Sequence, residues 1–481
     1  MAFKSQLDML SKTDYITLMH KEMPFPPTPG QEEAIALLIN FLCSNEQQQL
    51  FLLKGYAGTG KTTIVSTLVR VLALAQQDAV LLAPTGRAAK IFSNYAGKKA
   101  YTIHKHLYRS TMQEGLLHFA RKRNIFKNKL FIVDEASMIS DKSFSLDSQG
   151  RTLLDDLISY VFEGENCKLL FIGDEAQLPP VGEANSPALM PDYLKQNFSL
   201  QLTVFQLTDV VRQALDSGIL YNANILRQKI GKEDYLFPLF PAAHLPDFNN
   251  VEGSDLEELL NTLYVNYEHD EVVVVTPNNK RAILYNNEIR NRILYRENTI
   301  STGDSLMAVK NNYYWVDEKS PVGFIANGDM LELMAIRKMQ EIYGFRFADV
   351  TVRLCDYPDY PTIDIKIILD SLAGNTPALS PEENDRLYHK VGKDYEEILN
   401  KRIRYLKMKA DPFLNALQVK FGYSLTGHKT QGGQWKVVLI DQLFFKDKPI
   451  DKEFLRWLYT AVTRATEKVY LINFPEKAFG G

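Results

Sequence analysis

The run Gly55-Tyr56-Ala57-Gly58-Thr59-Gly60-Lys61-Thr62 constrains this chain more than any other stretch. It fits the pattern G-x-x-x-x-G-K-[ST], and its flanks supply the context that pattern needs. Leu50-Phe51-Leu52-Leu53 before it is a short apolar run with the character of a buried strand. Thr63-Ile64-Val65-Ser66-Thr67-Leu68-Val69 after it carries apolar residues at helical spacing. In a strand, glycine loop, helix arrangement, backbone N–H groups converge on phosphate oxygens and the helix N-terminus adds a favourable dipole. Lys61 then reaches the β and γ phosphates, and the Thr62 hydroxyl holds Mg²⁺. Gly55, Ala57, Gly58, Thr59, Gly60 and Thr63 line the same nucleotide. The chain is expected to bind and hydrolyse a nucleoside triphosphate.

At 481 residues the chain is too long for one core and calls for several domains. Hydrophobic residues at 45% and charged residues at 23% are ordinary for a globular protein. No apolar run reaches the roughly 18 residues that cross a bilayer, so no membrane partner is expected. Met1-Ala2-Phe3-Lys4-Ser5-Gln6-Leu7-Asp8 lacks an apolar signal core, which argues against export. Cys43, Cys167 and Cys355 are isolated, fit neither a disulfide framework nor a zinc cluster, and point to a reducing cytoplasm. A net charge of −3 gives no global sign of nucleic-acid binding, so any such site must be a local groove.

Residues 50 to 210 alternate short apolar strands with amphipathic helices, the pattern of an open parallel sheet. Strands are expected at Leu50–Leu53, Val80–Ala83, Leu130–Val133 and Leu169–Ile172. A second alternation begins near Glu271–Pro277, resumes at Lys436–Asp441 and ends at Val469–Ile472. The insertion between, roughly 304 to 416, starts with strand-like sequence and turn signals at Asn311-Asn312 and Asn327-Gly328-Asp329, as a small β-barrel would. Ser380-Pro381-Glu382-Glu383 offers an N-cap, a proline at the first helical position and a capping-box glutamate. The helix it opens is expected to end in the basic run Lys401–Lys409, either a solvated face or a nucleic-acid contact.

Further motifs surround the glycine loop. Asp134-Glu135 leaves the C-terminal end of the apolar run Leu130–Val133, where α/β sheets bind ligands. Asp134 is placed to hold Mg²⁺ through its water shell, and Glu135 to orient or deprotonate the attacking water. A second apolar run leads into Gly173-Asp174-Glu175-Ala176-Gln177-Leu178-Pro179-Pro180. Gln177 can sense the γ-phosphate by hydrogen bonding, on a loop stiffened by the diproline. Arg212 and Arg464 lie outside this first core, and a guanidinium can stabilise charge on a transferring phosphoryl group.

In this order the motifs resemble those of superfamily 1 helicases, nearest to the RecD-like and bacteriophage Dda-like branch, over most of the chain. The resemblance implies two RecA-like α/β domains, one at 1–210 with an inserted hairpin at 105–128, the other at 211–303 and 417–481. An accessory insertion, SH3-like in its barrel, occupies 304–416. Thr28-Pro29-Gly30-Gln31 is similar to the glutamine motif, which implies that Gln31 contacts adenine and that the nucleotide is ATP. Ala83-Pro84-Thr85-Gly86-Arg87-Ala88-Ala89-Lys90 resembles the motif that touches the strand backbone, implying roles for Pro84, Thr85 and Lys90. Thr102-Ile103-His104 matches the next motif and assigns Thr102 and His104 to nucleic acid. Tyr423 to Gly433 resembles the second domain's motif, assigning Thr426, His428 and Lys429 to nucleic acid and Gly432 to the nucleotide. Gly427 and Thr430 depart from residues common in relatives. Arg464 matches the arginine finger.

Between residues 98 and 129 nine lysines and arginines face a single acid, Glu114. This segment is either a basic surface loop or the strand-separating hairpin that relatives insert here, with Glu114-Gly115 at its turn and Leu117 or Phe119 at the duplex junction. The expected activity is an ATP- and Mg²⁺-dependent DNA helicase acting as a monomer on single-stranded and forked DNA in repair, recombination or replication. The resemblance alone implies 5′→3′ movement. Alternatives are a 3′→5′ motor of the same superfamily, an ATPase that remodels protein–DNA complexes, or a scaffold with an inactive loop. Intact Lys61, Asp134, Glu135 and Arg464 argue against the last.

Overall fold

Apolar runs whose residues alternate between two covered faces build the first sheet. The computed structural model describes residues 10–113, 116–142, 151–209, 217–241, 245–317, 319–374, 376, 378–442 and 450–479. They form two units, Met1–Pro84 with Ala88–Arg227, and Thr85–Arg87 with Gln228–Gly481.

In the first unit six strands run in the order β3-β2-β6-β7-β1-β8, all parallel. They are β1 (Gln49–Gly55), β2 (Ala79–Ala83), β3 (Ala100–Thr102), β6 (Leu130–Val133), β7 (Lys168–Gly173) and β8 (Gln201–Leu207). The inserted pair β4 (Tyr108–Gln113) and β5 (Leu116–Arg121) is a separate antiparallel ladder. Helices α1 (Lys12–Glu22), α2 (Pro29–Cys43), α3 (Lys61–Leu74) and α4 (Gly86–Ala96) complete its N-terminal half. Phe51, Leu53, Ile132, Leu170 and Ile172 pack on one face with the helices α1 to α4. Leu50, Leu52, Phe131, Val133, Leu169 and Phe171 pack on the other, against Leu153–Glu163. A strand buried on both faces has no polar alternation, which is why these runs are continuous in sequence.

In the second unit a parallel sheet runs β16-β10-β17-β18-β9. Its strands are β9 (Phe248–Val251), β10 (Val272–Thr276), β16 (Ser424–Thr426), β17 (Trp435–Asp441) and β18 (Ala465–Ile472). Between β10 and β16 the chain forms a closed five-stranded barrel. Its strands are β11 (Ser305–Ala308), β12 (Met330–Ile342), β13 (Phe345–Leu354), β14 (Ile363–Ile368) and β15 (Leu417–Phe421). The last of these runs past residue 416, the end expected for the insertion.

The structure corrects one element. Ser380 caps a helix with the full capping box, but that helix ends at Lys393, and the basic run forms a second helix, Lys401–Lys409. The break is set by Asn400, whose side chain accepts from Arg402 N and Ile403 N and starts the new helix. Among the described residues no helix is long and apolar enough to cross a membrane.

Candidate ATPase site and strand-contact residues

The loop after β1 turns through two left-handed glycines, Gly58 (φ 75°) and Gly60 (φ 84°), before α3 begins at Lys61. Gly60 is doubly constrained, because a Cβ there would also collide with the Gln31 amide. Gln31 is buried and donates to Thr59 O at 3.1 Å, while its carbonyl accepts from Thr28 N at 3.0 Å. The glutamine thus completes the capping box of α2 and ties that helix to the loop. Lys61 Nζ donates to Gly55 O (2.6 Å) and Tyr56 O (2.8 Å), so its ammonium curls over the mouth of the loop. Gly60→Ala forces a residue with a Cβ into the left-handed region at about 1–2 kcal/mol, and nucleotide affinity should fall about tenfold in an equilibrium titration.

The parallel register brings the loops after β1, β6 and β7 to one edge of the sheet. Asp134 leaves β6 with its N–H donating to Leu82 O at 3.0 Å. Burial raises its pKa, opposed by a hydrogen bond from Tyr95, the Glu135 N–H and the Lys61 charge. Glu135 sits in the left-handed region at φ 50°, ψ 39°, a costly conformation for a residue with a side chain and one that concentrates at functional sites. Gln177 is buried, and among the described residues its side-chain carbonyl has no hydrogen-bond partner, as an acceptor left for the O–H of a water would. Among the described residues no cluster of three His, Cys, Asp or Glu could hold a metal. The exposed Thr62 hydroxyl on the first turn of α3 and the Asp134 carboxylate are oxygen donors, the set suited to Mg²⁺ carried in by phosphates.

The strand-contact candidates are placed in both units. Lys90 is buried on α4. Thr102 is buried and caps the short helix Ile103–Leu107 by accepting from Lys105 N at 3.1 Å. Burial pushes His104 below the ordinary histidine range, which favours the neutral ring. Protonation, with its added charge, then comes only under more acid conditions. Strand affinities of the parent and His104→Asn should therefore run parallel between pH 6.5 and 8 in an anisotropy titration. Pro84 ends the first segment of one unit and Thr85 begins the other. In the second unit Thr426 precedes the short helix Gly427–Thr430, which carries His428 and Lys429. Lys429 donates to Asn327 at 3.3 Å, and burial lowers its pKa. Gly432 has φ 70°. Arg464 is buried and donates to Thr460 O (3.2 Å), Gly433 O (3.4 Å) and Thr463 Oγ1 (3.4 Å). Arg212 and the side chains of Leu117 and Phe119 lie outside the described residues.

Packing adds residues that the motifs did not single out. Tyr56, inside the loop, receives Gln206 Nε2 at 2.8 Å and lies under the Arg227 guanidinium, 4.4 Å from its ring centre. Gln206 also reaches Glu175 at 3.1 Å, and Glu175 pairs with Lys54 at 2.9 Å, tying the loop to the segment that carries Gln177. The basic excess of residues 98–129 is largely neutralised. Lys98 and Lys129 pair with Asp78, Arg121 and Arg123 with Glu163, and Lys127 with Glu165. The two Glu163 pairs, with Tyr108 OH donating to Asp156 at 2.6 Å, brace the foot of the β4–β5 hairpin on Leu153–Glu163.

Such a loop, carboxylate pair and buried amide on one edge of a parallel sheet define a P-loop nucleoside triphosphatase. Residues 27–233 match the model of an AAA domain, and residues 421–472 that of the UvrD-like helicase C-terminal domain. The ATP-dependent DNA helicase dda of Enterobacteria phage T4 is 26% identical over 92% of this chain and 99% of its own length. The uncharacterized protein R530 of Acanthamoeba polyphaga mimivirus is 24% identical over 90% of this chain and 97% of its own. A Pif1 helicase from Bacteroides, crystallised with ADP-AlF3 and single-stranded DNA, aligns at 15% identity over 94% of this chain and 93% of its own, with a TM-score of 0.49. The chain belongs to the superfamily 1 helicases, in their RecD- and Dda-like branch.

Proposed function

We propose that this protein is an ATP-dependent DNA helicase that moves 5′→3′ along a single strand and separates the duplex ahead of it. The observation that carries this reading is the complete hydrolytic set on one sheet edge, Lys61, Asp134, Glu135 and Gln177, in a chain with a second parallel sheet and a helicase C-terminal match. Asp134 and Thr62 would hold Mg²⁺ with the phosphates, where the cation would supply neutralisation of charge on the transferring group. Lys61 grips the β and γ phosphates, Glu135 takes the proton of the attacking water, and Gln177 orients that water. Gln31 contacts the adenine, Gly432 the nucleotide, and Arg212 and Arg464 act on the phosphoryl group. Pro84, Thr85, Lys90, Thr102, His104, Thr426, His428 and Lys429 hold the strand.

Domains at 1–210, 211–303 with 417–481, and 304–416 serve as first motor, second motor and accessory domain, and the protein works as a monomer. The test is ATP turnover with and without oligothymidylate. Stimulation by the oligonucleotide supports a strand-walking motor, whereas turnover indifferent to it points to another use of the site.

The β4–β5 hairpin serves as the wedge, supported by its braced foot and by its place between Thr102-Ile103-His104 and β6. Aromatic stacking on a base contributes about 1–3 kcal/mol, so Leu117→Ala with Phe119→Ala should slow unwinding at least about tenfold. Strand-stimulated ATP turnover should persist in that variant. Unwinding at the parent rate would remove the hairpin from the mechanism.

A further inference from the structure

Tyr95 stands near the end of α4, the helix that opens directly after Thr85. Its hydroxyl donates to Asp134 Oδ2, and the Glu135 N–H donates to Oδ1 of the same carboxylate at 2.8 Å. The tyrosine ring is itself fixed. It stacks on Phe92 with centres 5.1 Å apart and planes at 28°, and Phe92 is fully buried. Asp134 is therefore held at its backbone by β2 and at both carboxylate oxygens by separate donors.

A carboxylate has about four lone-pair positions. One donor on each oxygen fixes the plane of the group and leaves each oxygen a further position to accept from the water shell of a cation. An Asp134 without the Tyr95 donor gains rotational freedom, and the orientation suited to the cation becomes one among several. Outer donors of this kind typically contribute 10–100-fold to metal affinity.

We infer that Tyr95 is a positioning residue of the Mg²⁺ site, acting through Asp134 without touching nucleotide, cation or water itself. This rests on the ATPase reading of the loop. The direct test is Tyr95→Phe, which keeps the ring on Phe92 and deletes only the hydroxyl. Binding of a fluorescent ATP analogue is followed while Mg²⁺ is titrated, with a parallel titration in EDTA and a thermal melt for each protein. The Mg²⁺ concentration for half-maximal binding should rise about tenfold, with Mg²⁺-free affinity unchanged and a single cooperative melt showing that the fold is kept. In the background of Asp134→Asn, where the hydroxyl has no carboxylate to orient, the same replacement should produce no shift. That cycle separates action through Asp134 from a general packing effect. An unshifted Mg²⁺ requirement in Tyr95→Phe, or an equal shift with Asp134→Asn present, would overturn the role of Tyr95 alone. A parent protein that binds no nucleotide would instead overturn the ATPase reading on which it rests.

Discussion

Lys61→Ala should reduce ATP turnover by at least about 10³-fold. The ammonium is held at the loop mouth by two backbone carbonyls, Gly55 O at 2.6 Å and Tyr56 O at 2.8 Å. Phosphate oxygens are better partners for it than neutral carbonyls, since they add a negative charge opposite the ammonium. Loss of one preorganised neutral donor from a transition state already costs about 10²–10³ in rate, and Lys61 carries a full charge. The loop itself should survive the change, because its shape is fixed by Gly58, Gly60 and the Gln31 to Thr59 bond. Steady-state phosphate release with saturating single strand measures the effect. A variant retaining a tenth of parental turnover would show that the loop is not the hydrolytic site.

Glu135→Gln should separate binding from chemistry. The substitution keeps the size and hydrogen-bonding reach of the side chain and removes its capacity to take a proton. General-base catalysis supplies about 10²–10⁴ in rate, so kcat should fall by that factor while ATP affinity stays within about twofold. The main chain favours this division of labour. Glu135 sits at φ 50°, held next to Asp134 by its own N–H bond to Oδ1, so its orientation comes from the backbone as much as from the side chain. Single-turnover hydrolysis together with equilibrium binding of ATP tests it. If affinity falls in step with kcat, Glu135 shapes the pocket and another group activates water.

Much of this was legible in the sequence, for physical reasons that differ by element. Leu50–Leu53 and Leu130–Val133 are strands covered on both faces, so their apolar runs are unbroken and conspicuous. By contrast β8 (Gln201–Leu207) is an edge strand whose residues are mostly half-exposed, and its mixed composition hides it. The three-residue strands β3 and β16 are too short to show any period. Asn400, an N-cap residue just ahead of Lys401, is the sign in the sequence that the basic run starts a helix of its own.

The site divides in the same way. Gly55–Thr62 and Asp134-Glu135 are local motifs, and their chemistry follows from neighbours in the chain. Tyr95 reaches Asp134 across 39 residues, and Gln206 reaches Tyr56 across 150. Those pairings arise only when the sheet is assembled, and no spacing rule announces them. The charges of the basic segment follow the same rule. The basic excess of residues 98–129 is real in the chain, but Asp78, Glu163 and Glu165 come from outside the counted window and pair with five of the nine cations. What survives is the hairpin's position and its anchoring.

A strand-walking motor with this site must convert ATP hydrolysis into directional strand separation. The most direct measurement is unwinding of two matched duplexes, one with a 5′ single-stranded tail and one with a 3′ tail, in ATP and Mg²⁺. The 5′-tailed duplex should separate, the 3′-tailed one should remain paired, and Lys61→Ala should separate neither. Separation of the 3′-tailed duplex alone would reverse the direction, and hydrolysis without separation of either would contradict a helicase.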